Sequence, residues 1–125
     1  MSTYQNFLAV NVDSGHLKSN WFSWAGWEGE DVYNIEVIGT YTAYPPPWEI
    51  SDNTILSPVG GGIHFAMFEG RIHNNTIKGQ SVNRPGVRLA ETTADVSVMA
   101  NWIKGHSPAI QNLSAANFTD GNALF

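Results

Sequence analysis

The chain contains no cysteine, which excludes disulfide bonds, thiolate metal sites and cysteine nucleophiles. Only 14% of its residues are charged, and 6 Lys and Arg stand against 11 Asp and Glu, for a net charge of −5. Proteins that bind nucleic acid normally carry a stripe of basic residues that contacts the phosphates. With this excess of acidic residues, we predict no nucleic-acid partner. No apolar run approaches the roughly 18 to 20 residues of a membrane-spanning helix, so we predict no integral membrane segment.

Hydrophobic residues make up 42% of the 125 residues, and this share includes the aromatic residues, which are 12% of the chain. This composition and length fit one folded domain, since disordered chains are poor in such residues. The first six residues carry no positively charged n-region, so no secretory signal is legible and the compartment stays open. The apolar Leu124-Phe125 leaves two interpretations open: the chain is a module of a longer protein, or this region is buried against a partner.

An asparagine recurs four times in one local setting, with an apolar residue three positions before it and another two positions after it. The four are Asn20, Asn53, Asn75 and Asn101, at intervals of 33, 22 and 26 residues. A second set of segments lies between them, at 35–37, 63–65, 87–89 and, less clearly, 109–112. In each of the first three, two apolar residues flank one polar residue. Two short patterns therefore alternate along the chain in a fixed order.

Short β segments that recur every 20 to 35 residues or so, with Asn at one corner, are typical of a right-handed parallel β-helix. The tight bend between its second and third strands needs a left-handed residue, and we expect the Asn to adopt that conformation. Coils lie about 4.8 Å apart, so the Asn amides can form a hydrogen-bonded ladder. We predict an all-β chain: one right-handed parallel β-helix of four to five coils over residues 1–125.

The same pattern predicts which apolar side chains point inward and stack from coil to coil. They are Leu17 and Phe22, Ile50 and Ile55, Ile72 and Ile77, and Val98 and Ile103. An alternative stays open, because Asn74-Asn75 between two isoleucines also suits a hairpin turn. That alternative is an antiparallel β-sandwich or a meander barrel.

The interleaved strands and the Asn corner resemble the pectate-lyase-like β-helix superfamily, which includes polysaccharide lyases, polygalacturonase-type hydrolases and bacteriophage tailspikes. The resemblance covers roughly residues 7 to 118 and concerns architecture. It implies activity on acidic or branched polysaccharides, along a groove beside the outer face of the first strands. The chain departs from the family in coil number, since those enzymes usually have about twice as many coils and caps over both ends.

One column of outward-facing side chains carries most of the chemistry in the sequence. Alternate strand residues face opposite sides, so stacking places Glu36, His64 and Arg88 in a column, followed by Gln111, with Asn11 below. A carboxylate beside an imidazole suits a general base, and an Arg can hold a substrate carboxylate in bidentate fashion. We predict Glu36, His64 and Arg88 as catalytic candidates. The competing interpretation is a solvated sheet face of mixed charge.

Aromatic residues cluster in and beside two loops of neighbouring coils. Half-exposed rings stack on sugars, and we predict that Trp24, Trp27, Tyr44 and Trp48, with Gln111, contact substrate. Covering the core or forming a subunit contact is the other interpretation of these rings. No zinc, P-loop, dinucleotide or serine-hydrolase motif is present, and we predict no metal and no cofactor.

The sequence therefore leads to three functional hypotheses. The first is a β-helical module that binds a polysaccharide, with cleavage by a lyase or glycosidase-like reaction left open. The second is a non-catalytic stacking module of a spike, fibre or surface protein, with a homo-oligomer as its expected state. The third, tied to the antiparallel alternative, is a small lectin-like sandwich.

Overall fold

The structure is a computed structural model, and it describes residues 5–23, 32–40, 47–57 and 59–125. These residues form fourteen β-strands and no helix. Accordingly, the described ranges hold no helix that is long and apolar enough to cross a membrane. The strands assemble into three parallel sheets, which the chain visits in turn.

The first sheet contains β1 (Phe7–Val10), β4 (Tyr33–Ile38), β7 (Gly61–Ala66), β10 (Val87–Leu89) and β13 (Ile110–Asn112), in that order. The second contains β2 (His16–Lys18), β5 (Trp48–Ser51), β8 (Gly70–His73) and β11 (Val96–Met99), and an isolated parallel bridge from Ser97 to Phe118 extends it. The third contains β3 (Trp21–Ser23), β6 (Thr54–Ser57), β9 (Thr76–Val82), β12 (Trp102–His106) and β14 (Ala123–Leu124).

Every neighbouring pair of these strands is parallel, and each strand pairs with the equivalent strand of the next coil. The chain is thus a β-solenoid of about four turns, which confirms the prediction of a parallel β-helix. The antiparallel sandwich and the meander barrel are wrong. Both require antiparallel pairing, whereas every strand pair in the three sheets of the described residues is parallel.

The core consists of the inward side chains of all three sheets, stacked from coil to coil. In the third sheet, Ile55 and Ile77 are in register and completely buried, and Ile103 continues their stack. In the second sheet, Ile50, Ile72 and Val98 form the corresponding stack and are equally buried. The predicted inward positions are therefore confirmed, with Leu17 and Phe22 packed at the first coil, where Phe22 is only partly buried.

The Asn corner differs in one respect from the expectation. The left-handed residue is the one just before each ladder asparagine, and these residues are Ser19, Asp52, Asn74, Ala100 and Gly121, with φ between 54° and 72°. The prediction that the Asn itself is left-handed was wrong. The Asn side chain must instead point inward, toward the equivalent Asn of the next coil, and the preceding residue takes the strained conformation that makes this turn.

The Asn ladder itself is present and has five rungs, joined by four steps. The Asn53, Asn75 and Asn101 side chains are 1% exposed, and each Nδ2 donates to the Oδ1 of the next ladder residue. Each Nδ2 also donates to a backbone carbonyl of the preceding coil, as Asn75 does to Ile50 at 2.9 Å. The last rung is Asn122, which the sequence pattern did not reveal.

Candidate functional site

The outward column of the first sheet forms as predicted. Glu36 of β4 pairs in register with His64 of β7, which pairs with Arg88 of β10, which pairs with Gln111 of β13. One detail differs, because the residue in register below Glu36 is Leu8 and not Asn11. Asn11 lies just after β1 in a left-handed conformation. The column therefore begins with an apolar side chain that is 50% exposed.

Glu36 and His64 form a mostly buried pair at the centre of this column. His64 Nδ1 lies 3.1 Å from Glu36 Oε1, and the two side chains are 18% and 13% exposed. A carboxylate only accepts hydrogen bonds, so Nδ1 carries a hydrogen and its N–H donates a hydrogen bond to Glu36 Oε1. In the neutral ring, Nε2 is then the basic nitrogen.

Two neighbours orient this pair. Gln5 Nε2 donates to the second carboxylate oxygen of Glu36, so both oxygens of that carboxylate are occupied. The Tyr33 ring lies beside the His64 imidazole, with 5.3 Å between ring centroids and 39° between their planes. The imidazole is therefore fixed by a hydrogen bond on one side and by ring packing on another, as a preorganised base requires.

Trp48 does not lie on the surface where a sugar could stack on it. Its side chain is 4% exposed, packs edge-on against Phe7 at 6.4 Å and donates from Nε1 to the Val12 carbonyl at 3.0 Å. Gly15 makes room for the ring, since a Cβ there would lie 2.5 Å from it. Trp48 is thus a core residue of the first coils, and its burial argues against the predicted substrate contact.

The other three aromatic residues predicted to contact substrate are Trp24, Trp27 and Tyr44, and they lie outside the described residues. Gln111 does lie in the column, beside Arg88, and is partly exposed. The prediction that these four residues contact a sugar stays a prediction.

A second cluster of ionisable groups lies on the outer face of the second sheet, and sequence reasoning missed it. Glu49 of β5 lies between two histidines, with His16 Nδ1 3.2 Å from Oε2 and His73 Nε2 3.0 Å from Oε1. The His73 hydrogen bond, aided by the charges of both histidines, lowers the pKa of Glu49 against the opposing effect of desolvation. The register between β2 and β5 could have indicated the His16–Glu49 pair, but the diagonal contact to His73 could not be read from the spacing.

His106 forms a third ionisable site, apart from the outward column and the second cluster. It lies at the end of β12, beside a cavity of about 260 Å³ that Ser81, Asn83 and Ser107 help to line. His106 is 7% exposed, and its Nδ1 lies 3.0 Å from the Arg84 carbonyl oxygen, to which it donates. Burial lowers the pKa of His106, and the bond to Arg84 opposes this only in part. The ring is accordingly a neutral packing group, separate from the outward column.

Neither a metal site nor similarity to known proteins identifies a function for this chain. Within the described ranges, no group of three or more His, Asp or Glu side chains is arranged to hold a metal ion. Comparison with protein-family models, with curated proteins and with solved structures finds no match to this chain. The functional argument therefore depends on the site geometry alone.

Proposed function

We propose that this β-helix binds an acidic polysaccharide along the outer face of its first sheet. Glu36, His64 and Arg88 line the centre of the site, and Gln111 extends it by one coil. The Glu36–His64 pair carries the proposal, because its nitrogen and oxygen are 3.1 Å apart and both side chains are mostly withdrawn from water. Withdrawing such a pair from water is costly, and ionisable groups in such settings are candidates for function.

Arg88 gives the site its preference for an acidic ligand. The chain has a net charge of −5, so general attraction to a polyanion is absent and a local cation must provide it. Arg88 follows His64 by one coil on the same face. A guanidinium binds a carboxylate through two parallel hydrogen bonds, which fixes a uronate carboxylate in position as well as in charge.

The same arrangement suits proton abstraction next to that carboxylate. With Nδ1 bonded to Glu36, His64 Nε2 can accept the proton on the carbon beside the uronate carboxylate while Arg88 neutralises the developing charge. The electron pair of that C–H bond forms a double bond to the neighbouring carbon, the bond from that carbon to the glycosidic oxygen breaks, and the leaving oxygen takes a proton from water, so that an unsaturated sugar remains. Trp24, Trp27 and Tyr44, which lie outside the described residues, are proposed to stack on sugar rings of the same ligand.

Binding is tested with variants at matched positions on two sheets. Arg88→Gln and Glu36→Gln alter the proposed site, and Arg71→Gln and Glu49→Gln make the same changes on the outer face of the second sheet. Titration calorimetry with polygalacturonate, alginate and hyaluronan should show binding that Arg88→Gln weakens by about tenfold or more. Equal effects of Arg88→Gln and Arg71→Gln, or no binding by the unsubstituted chain, would contradict the proposal.

Cleavage is tested separately from binding. The ultraviolet absorbance of unsaturated sugars should rise when the chain is incubated with the polysaccharide that it binds. His64→Gln should abolish the rise and His73→Gln should not, because His73 belongs to the second-sheet cluster. Binding without any rise would restrict the function to recognition.

A purely structural stacking role, in a spike, fibre or surface protein, is the second candidate. The observation that favours it is an uncovered core position at the last coil, where the inward Leu124 is 52% exposed. The two candidates concern different surfaces, since one uses the outer face of the first sheet and the other uses the ends of the coil.

A further inference from the structure

The Asn ladder has a direction, and the same pair of backbone contacts is repeated at each of its four steps. In the forward contact, the backbone N–H of one ladder Asn donates to Oδ1 of the next, as Asn101 does to Asn122 at 3.0 Å. In the return contact, the residue after the second Asn donates to the carbonyl of the first, as Ala123 does to Asn101 at 2.9 Å. Each coil therefore presents different groups to the coil before it and to the coil after it.

At the first coil, the groups that would face a preceding coil are Asn20 Oδ1 and the Trp21 N–H. Among the described residues, no group donates to Asn20 Oδ1. Strand β3 is the edge of the third sheet, and Trp21 is equivalent to Thr54, Thr76, Trp102 and Ala123, all of which donate to the preceding coil. This end therefore offers one acceptor and one donor in the geometry of a ladder step.

At the last coil, the groups that would face a following coil are the Asn122 N–H and the Asn122 carbonyl. Neither has a hydrogen-bond partner within the part of the chain that the structure describes. The Asn122 Nδ2 already donates to the Val98 carbonyl at 2.8 Å, as the inner ladder residues do to their preceding coils. The two ends are thus complementary, since the donor and acceptor of one match the acceptor and donor of the other.

The inward apolar positions are complementary in the same sense. Phe22, Ile55, Ile77, Ile103 and Leu124 share one register column in the third sheet. The three inner members are completely buried, whereas Phe22 is partly exposed and Leu124 is 52% exposed. Placing Leu124 of one coil stack against Phe22 of another would cover both ends of this column.

We infer that this chain associates head to tail with a second copy, the last coil of one molecule stacking on the first coil of the next. The Asn122 N–H donates to Asn20 Oδ1 of the second copy, and the Trp21 N–H of that copy donates to the Asn122 carbonyl. All three parallel sheets continue across the contact, which removes the exposed strand edges. Because the contact is heterologous and leaves both outer ends open, it permits chains of more than two molecules. The inference is independent of the polysaccharide proposal.

The test uses variants that block one end each. Trp21→Pro removes the N–H that the first coil presents at the edge of the third sheet, a position where proline is tolerated. Leu124→Lys places a charge on the apolar surface of the last coil, where it is solvated in the monomer and desolvated in the stack. Circular dichroism and thermal unfolding establish that each variant is folded. Asn20→Ala, which removes the Oδ1 acceptor together with the Nδ2 bonds to the Lys18 carbonyl and to Asn53 Oδ1, replaces Trp21→Pro if that variant does not fold.

Light scattering coupled to size exclusion distinguishes the outcomes. The unsubstituted chain should show a mass that rises with concentration, and each single variant should associate about tenfold or more weakly. An equimolar mixture of Trp21→Pro and Leu124→Lys should give dimers and nothing larger, because one open end of each kind remains. A monomeric unsubstituted chain would overturn the inference. A Trp21→Pro variant that dimerises alone would also overturn it, since the contact would then join two equal ends.

Discussion

Ala100 is the residue that bears the backbone strain at one of the five corners. Its φ is 54°, a region that costs an L-residue with a Cβ about 1 to 2 kcal/mol, and Gly121 holds the equivalent position in the next coil with φ of 72°. We expect Ala100→Gly to raise the free energy of unfolding by about 0.5 to 1 kcal/mol, after the larger entropy of glycine in the unfolded chain is subtracted. Urea denaturation measures this change.

The reciprocal substitution is the control for that prediction. A Cβ at Gly121 meets no atom within 4 Å, so Gly121→Ala tests the backbone conformation without a steric clash. It should lower the free energy of unfolding by about 1 kcal/mol. Changes of the same sign in both variants would show that positive φ is not what sets the residue preference at this corner.

Asn75 carries a larger share of the stability because it is an inner rung of the ladder. Its side chain is 1% exposed, donates to the Ile50 carbonyl at 2.9 Å and accepts from the backbone and side chain of Asn53, both at 3.0 Å. Asn75→Ala leaves these buried groups unpaired and should cost about 3 kcal/mol or more. Asn20→Ala, at the exposed first rung, should cost about 1 kcal/mol or less. Equal losses in urea denaturation would show that the ladder does not depend on burial.

At the scale of the element, Gly62 in β7 and Gly86, which directly precedes β10, allow the two backbones to approach closely. A Cβ at Gly62 would lie 2.2 Å from the Gly86 carbonyl oxygen and 2.7 Å from an Ile77 methyl group. Backbone cannot move aside as a flexible side chain can, so Gly62→Ala should lower the free energy of unfolding by about 2 kcal/mol or more. Gly121→Ala is again the control, since it adds the same methyl group in open space. A loss no larger than that of the control would show that this sheet can accommodate a Cβ at Gly62 in spite of the short distance to the Gly86 carbonyl oxygen.

The sequence predicted elements well where a pattern repeats in one residue type. The four asparagines were recognisable because apolar residues stand at fixed offsets, and the predicted segments 35–37, 63–65 and 87–89 lie within β4, β7 and β10. Asn122 was not recognised because Thr119, three positions before it, stands where the pattern requires an apolar residue. The left-handed residue was assigned one position too late, since Ser, Asp, Asn, Ala and Gly all occupy that position and leave no signature.

The candidate site was only partly predictable for a different physical reason. Register follows from strand order, so the Glu36–His64–Arg88 column could be read from the sequence. Contacts such as His73 with Glu49 depend on side-chain conformation across two strands and could not. Trp48 shows the same limit, because an aromatic residue beside a loop is equally compatible with a surface position and with the buried position above Gly15 that it occupies.

For the whole molecule, His106 links stability to pH. Burial lowers its pKa in the folded state below the ordinary value of about 6.5, so the unfolded chain takes up a proton first as the pH falls. The contribution of the neutral ring to stability is therefore complete above about pH 6.5 and is lost as the pH falls from there toward the lowered pKa. Urea midpoints should decrease between about pH 7 and pH 5.

A substitution that cannot ionise identifies the residue responsible. His106→Phe retains a ring against Gly79 and Gly86 and should remove most of this decrease, at the cost of the bond to the Arg84 carbonyl. His16→Asn, at a side chain that is 75% exposed, should retain the decrease. A pH profile that His106→Phe leaves unchanged would assign the dependence to other groups.

The repeated corner has a consequence for how long such a molecule can be. Residues 75–100 begin with a ladder Asn, end with a left-handed residue and span the 26 positions to the next rung. A tandem duplication of this segment would insert one complete coil, with one strand in each sheet. It would also add a second copy of Arg88 to the outer face of the first sheet. The length of the solenoid along its axis therefore changes in increments of about 4.8 Å. The number of charged groups that face a polymer is set by how many coils are inserted.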